Sequence, residues 1–160
     1  SDTFEREKLC NQIAGAYRQA PFYRDVMPLI EKIVKQESNN LFDYIFQGLI
    51  TLRDYFSLSC ELLVSSAIDA DHTLKAQDRV LDLCRVLKAE TYINPPGGIA
   101  LYSQQYFNIN GIALNFIQPR PWLYRHSDAD FIPWLSIIDV MMFNERDELI
   151  HRLKTGYELN

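Results

Sequence analysis

The chain of 160 residues is 48% hydrophobic and 12% aromatic, with a formal net charge of -5, so it can bury a sizeable core as one domain. Its acidic balance, without a Lys/Arg cluster, excludes a general nucleic-acid binder, which needs a basic face to neutralise phosphates. The most apolar window, Phe131 to Phe143, is too short for a bilayer and contains Pro133 and Asp139, which excludes membrane insertion through it.

Residues 3 to 19 place Leu9, Ile13, Ala16, Tyr17 and Ala20 on one face, predicting an amphipathic helix ended by Pro21. A second helix opens near Pro21 and repeats Phe22, Val26, Leu29, Ile30 and Ile33, with a kink or split expected at Pro28. Asn39 or Asn40 caps a third, whose predicted buried face is Leu41, Ile45, Leu49, Leu52 and Phe56. The character then changes. Glu61-Leu-Leu-Val-Ser65 is a short apolar run bounded by polar residues, the pattern of a buried parallel strand.

From Thr73 to Lys88 a helix capped by Asp71 or Thr73 carries Gln77, Val80, Leu81, Cys84 and Leu87 on one face. Thr91-Tyr-Ile-Asn94 reads as the second strand, residues 98 to 108 as a short helix stopped at Gly111, and Ile112 to Ile117 as the third strand. Gln118 to Asp130 is a loop, Pro133 opens a helix running to Phe143, and Arg146 to Leu153 makes the last, closed by Gly156. The fold class is therefore α/β: three N-terminal helices, a small parallel βαβαβ sheet unit, then C-terminal helices.

Function is sought where strands end, because open α/β sheets gather ligands at their carboxyl edges. Pro95-Pro-Gly-Gly98 follows the second strand. Its glycines permit positive φ or a close backbone approach, and a helix opening there would offer N–H groups to an anion. Pro96, Gly97, Gly98 and Tyr102 are the binding residues proposed at this turn, though a tight turn alone would also explain it. Ser65 and Ser66 follow the first strand as polar contacts or as turn and cap residues. Tyr124, Arg125 and His126 follow the third. Arg125 suits an anionic group, and His126 an acid, a base or a hydrogen-bond partner.

Asp139 stands in an otherwise apolar helix, Pro133-Trp-Leu-Ser-Ile-Ile-Asp139, and must be partnered. Ser136 lies on the same helical face and is a candidate partner or co-ligand. The competing reading of Asp139 is an anchor for the preceding loop. Trp122, Phe131 and Trp134 read as core and lid rather than as a stacking surface. Cys10, Cys60 and Cys84 are widely spaced and lack ligand-spaced histidines, which points to unpaired thiols in a reducing compartment and to no metal site.

Taken in order, Tyr92-Ile-Asn-Pro-Pro-Gly-Gly-Ile-Ala-Leu-Tyr102, Gly111-Ile112, Tyr124 and Phe131-Ile-Pro-Trp-Leu-Ser-Ile-Ile-Asp-Val140 resemble the WbqC-like family, as does Tyr17-Arg-Gln-Ala-Pro-Phe-Tyr23 upstream. The resemblance spans nearly the whole chain. It implies a bacterial cytoplasmic protein of surface-polysaccharide or O-antigen biosynthesis, a transferase on an activated or amino sugar. It also implies an N-terminal segment preceding residue 1. The catalytic candidates are His126 and Asp139. The expected ligand is a small molecule such as a sugar nucleotide, no cofactor is assigned, and self-association is left open. The alternative is a non-catalytic binding or assembly module whose leading helices dock a partner.

Overall fold

The computed structural model describes residues 2–38, 40–125 and 131–160, the side chains of 2–4 excepted. In chain order its elements are α1 (Asp2–Tyr17), α2 (Tyr23–Val34), α3 (Leu41–Tyr55), α4 (Ala76–Val86), β1 (Thr91–Asn94), α5 (Gln104–Ile109), β2 (Ala113–Pro119), α6 (Ile137–Phe143), α7 (Arg146–Thr155) and β3 (Tyr157–Leu159). They fall into two compact units. One comprises Ser1–Cys60 with Trp122–Thr155, the other Glu61–Pro121 with Gly156–Asn160.

The first unit is helical. Val26, Met27, Ile30 and Val34 line the buried side of α2 and pack with Cys10 of α1, Met141 and Met142 of α6, and Leu149 of α7. The Phe22 N–H donates to the Met142 carbonyl at 3.1 Å, tying the α1–α2 connection to α6. Pro28 lies inside α2, which continues through it as one element and is not split.

Asn40 caps α3 as its sequence requires, Oδ1 accepting the Phe42 N–H at 2.8 Å. The predicted face of α3 is buried only at its C-terminal end, where Leu52 and Phe56 join the core. Leu41, at 72% exposure, and Ile45 and Leu49 are exposed, whereas Gly48 is buried, with Ile33 Cγ2 3.4 Å from where its Cβ would stand. A glycine lets the backbone of α3 approach α2 closely, and that approach decides which face turns inward.

The second unit holds the sheet, in the order β1-β2-β3. β1 and β2 are parallel, with Thr91 opposite Ala113 and Asn94 opposite Phe116. β2 and β3 are antiparallel, with Ile117 opposite Leu159. Leu114, Phe116 and Ile112 bury against Leu81 and Cys84 of α4 and Phe107 of α5. The parallel βαβαβ unit is thus corrected to one parallel β1–α5–β2 crossover extended by an antiparallel strand.

The run Glu61 to Ser65 forms no strand. It is followed directly by a 3-10 turn, Ser65–Ala67, and Leu63 is exposed. A parallel strand is stable when both faces are covered, and no residue from 61 to 65 is buried.

Three helix starts also move. α4 begins after Lys75, because Asp71 spends its carboxylate on the Thr73 N–H and hydroxyl at 2.8 and 2.6 Å, a local turn that competes with the helix. α5 begins at Gln104, with Ser103 Oγ accepting the Tyr106 N–H. α6 begins at Ile137, because Trp134 sits at φ 63, which a right-handed helix cannot contain. Gly111, at φ 77, follows α5 as the predicted stop.

Candidate functional site

In the first unit a buried acid organises the local polar chemistry. Asp139, 1% exposed, lies in the first turn of α6, where a helix favours negative charge. Ser136 caps that turn. Its Oγ accepts the Ile138 N–H at 3.3 Å and its carbonyl accepts the Asp139 N–H at 2.9 Å, so its oxygens cap the backbone of the turn that carries the acid. The carboxylate takes the Tyr124 hydroxyl on Oδ2 at 2.5 Å. Charged acceptors shorten such bonds.

Burial, the hydrogen bond to Asp139 and its negative charge all push the Tyr124 phenol well above its ordinary pKa. Tyr17 of α1 is shifted the same way, first by burial and then by the Asp139 charge and a hydrogen bond to it. Both phenols therefore feel the same carboxylate. Such a phenol stays protonated through neutral pH and donates to the acid.

An aromatic wall supports the pair. Trp122 lies 5.3 Å and Phe131 5.1 Å from Tyr124, ring centroid to centroid, and the Arg152 guanidinium covers Trp122 at 5.1 Å. Arg125 is exposed, next in sequence to Tyr124. His126 lies outside the described residues.

The second unit carries the other nominated residues. Ser65 and Ser66 are exposed in the 3-10 turn. Pro96, Gly97 and Gly98 form a second 3-10 turn directly after β1, as expected from the glycines, but α5 does not open there, so no α-helix N-terminus is offered at Gly97 and Gly98. The two glycines differ. A Cβ on Gly98 would stand 2.5 Å from Asn94 Nδ2 and 3.2 Å from Tyr102 Cε2, whereas one on Gly97 meets nothing within 4 Å. Gly98 is a packing glycine, and Gly97 leaves its backbone open to approach.

Tyr102 packs edge-on against Tyr92 and Phe107 at 5.8 and 5.9 Å, in the aromatic part of the core. Burial, then a hydrogen bond to Tyr102, raises the Tyr92 phenol to about 12.

Two features of the first unit were not anticipated. Tyr17 read as an ordinary core residue of its helix, and only its place in the Tyr17-Arg-Gln-Ala-Pro-Phe-Tyr23 block distinguished it. An open cleft of about 410 Å³ is lined by Phe22, Asp25, Tyr55, Asn144, Glu145, Arg146 and Asp147. Arg146, the cation among its described lining residues, is committed to the Tyr55 carbonyl and the Ser57 hydroxyl. Among the described residues, none of those nominated from sequence lines that cleft.

Among the described residues no group of three His, Cys, Asp or Glu side chains could hold a metal, and no helix is long and apolar enough to cross a membrane. The model of the WbqC-like protein family matches residues 1–151. No curated protein and no solved structure matches the chain.

Proposed function

The chain belongs to the WbqC-like protein family, and from that premise we propose that it is a cytoplasmic transferase of bacterial surface-polysaccharide (O-antigen) biosynthesis, acting on an activated or amino sugar. The observation that carries this reading is the short Tyr124–Asp139 bond, a phenol aligned on a carboxylate buried to 1%. An acceptor hydroxyl or amine that attacks the anomeric carbon of an activated sugar displaces the nucleoside diphosphate, which leaves with the electron pair of the anomeric C–O bond, and must itself lose a proton. Tyr124 takes it on its oxygen while passing its own to Asp139, and Tyr17 helps to hold the carboxylate in place. Arg125 contributes a guanidinium for the anionic part of the donor, and His126 remains the second acid–base candidate. Ser136 holds the first turn of α6. Separately, within the second unit, Gly97 with Pro96, Ser65 and Ser66 is proposed as a polar contact site of its own, with Gly98 and Tyr102 packing that turn.

The test is calorimetry and thermal shift of the whole chain against nucleotide-activated hexosamines, followed by mass spectrometry for transfer to amine and hydroxyl acceptors. Binding in wild type together with lost transfer in Tyr124→Phe supports the reading. Absence of binding across the panel overturns it.

A second reading, a non-catalytic assembly module, is favoured by one observation: the exposed stripe Leu41, Phe42, Ile45 and Leu49 on α3. It predicts partner binding that is abolished by polar substitutions on that stripe and is indifferent to Tyr124→Phe.

A further inference from the structure

The turn leading into α6 holds Trp134 in a conformation that tryptophan rarely adopts. Pro133 and Trp134 are the turn residues between Ile132 and Leu135. Trp134 has φ 63, the left-handed geometry that turns with a preceding proline normally give to Gly or Asn. A Cβ makes that region unfavourable, and a bulky side chain there is a clear outlier.

Burial does not compensate for this. Trp134 is 74% exposed, and Ile132 before it is exposed too. Trp134 is therefore not a core residue: its side chain stands largely exposed, at a backbone cost.

Its neighbours in the chain do the opposite. Phe131 packs on Tyr124 at 5.1 Å, and Asp139 receives the Tyr124 hydroxyl. One short segment thus carries both the support for the phenol–carboxylate pair and the strained, outward ring. Backbone strain of this kind concentrates at ligand clamps, where the surrounding structure holds a side chain out for contact.

We propose that Trp134 is the stacking residue of this site, covering the apolar C–H face of a hexopyranose whose hydroxyl or amino groups point to Tyr124. The inference rests on the reading of Tyr124 and Asp139 as the reacting pair, and adds to it the surface that recognises the sugar. The chemistry is complementary. A pyranose ring offers a flat apolar face with polar groups at its edge, and indole offers a broad apolar plane.

Trp122 and Trp134 are the only two tryptophans, so Trp122→Phe leaves Trp134 as the sole indole reporter. This variant of the whole chain is titrated with UDP-N-acetylglucosamine, UDP alone and free N-acetylglucosamine. The expected result is a blue shift of Trp134 emission and protection from acrylamide with the sugar-bearing probes and none with UDP. Trp134→Gly, which relieves the turn and removes the ring, is expected to melt above wild type. It should also weaken the sugar nucleotide by about tenfold, the loss expected for one stacking contact.

A lower melting point for Trp134→Gly overturns the claim that the ring is held at a cost. Calorimetric binding with unchanged Trp134 emission and unchanged affinity in Trp134→Gly overturns the stacking role while leaving the reading of Tyr124 and Asp139 standing. An equal shift with UDP alone assigns the ring to the base and overturns the sugar face. No binding of any probe to wild type overturns both.

Discussion

Asp139 shows how much one residue's chemistry reveals without its partners. A carboxylate inside Ile137-Ile-Asp-Val-Met-Met-Phe143 had to be satisfied, and that much was legible from sequence; which groups satisfy it was not. Ser136 was the near candidate and its Oγ caps the helix by accepting the Ile138 N–H, while Tyr124, from the preceding loop, donates its hydroxyl to the acid. Tyr17 was invisible as a site residue because a half-buried helix tyrosine has the same periodicity whether its hydroxyl meets water or an acid.

Tyr124→Phe keeps the ring packing against Trp122 and Phe131 while deleting one donor to a buried charge, so it is expected to lower stability by about 2 kcal/mol, read from urea unfolding. A pH effect follows with a fixed sign. The phenols of Tyr17, Tyr92 and Tyr124 are raised in the folded state, Tyr92 to about 12. The unfolded chain therefore releases these protons first, near the ordinary phenol pKa of about 10. Their contribution is complete below that pH and is lost as pH climbs from about 10 toward 12. Melting temperatures across that interval should fall in wild type and fall less steeply in Tyr124→Phe. Equal slopes would show that the Tyr124 shift is not what couples folding to pH.

At the scale of elements, types were read well and edges poorly, each for an identifiable reason. α3 and its Asn40 cap, β1 and the turn at Gly97 and Gly98 stand where periodicity and turn chemistry put them. The start of α6 moved because Pro133 suits a turn as well as a first helical position, and the positive φ of Trp134 is not encoded in any pattern. The inward face of α3 was read correctly at Leu52 and Phe56 and missed in the first turns, where the apolar stripe was more conspicuous than one glycine. Gly48 nonetheless sets the approach to Ile33.

The glycine turn makes the same distinction testable. Gly98→Ala drives a methyl group into Asn94, 2.5 Å from Nδ2 and 2.9 Å from Cγ. The amide must swing away, at a cost of about 1–3 kcal/mol typical of overpacking. Gly97→Ala enters open space and should stay within about 0.5 kcal/mol of wild type. Denaturant midpoints of the two variants decide the matter. Equal losses would mean that the turn needs glycine at both positions for its backbone rather than for packing at one.

For the molecule as a whole, the sequence conveyed an α/β character and a family, but not the division of apolar residues into two clusters, one around α2 and α6 and the other around β2. A periodic pattern says which residues are buried and not with whom. The largest topological miss has the same origin. Glu61 to Ser65 looks like a strand because it is short and apolar, and Tyr157–Leu159 does not because three residues carry no periodicity. Pairing is nevertheless decided by which backbone reaches β2.

β3 reaches it. Phe116 and Asn160 exchange both amide bonds at 2.8 and 3.1 Å, the Arg120 N–H donates to the Gly156 carbonyl at 2.8 Å, and the Arg120 side chain meets Glu158 at 3.2 Å. The last contact is exposed on both sides and contributes little. The backbone bonds carry the pairing, because they cover an edge of β2 that would otherwise present bare N–H and C=O groups. Removing residues 157–160 should therefore speed amide exchange at Phe116 and at the residues near it in β2 by one to two orders of magnitude, taking about 1 kcal/mol per lost bond. Glu158→Gln should leave that exchange nearly unchanged. If the truncated chain protects the Phe116 amide as well as wild type does, β3 is an ornament of the sheet and not one of its members.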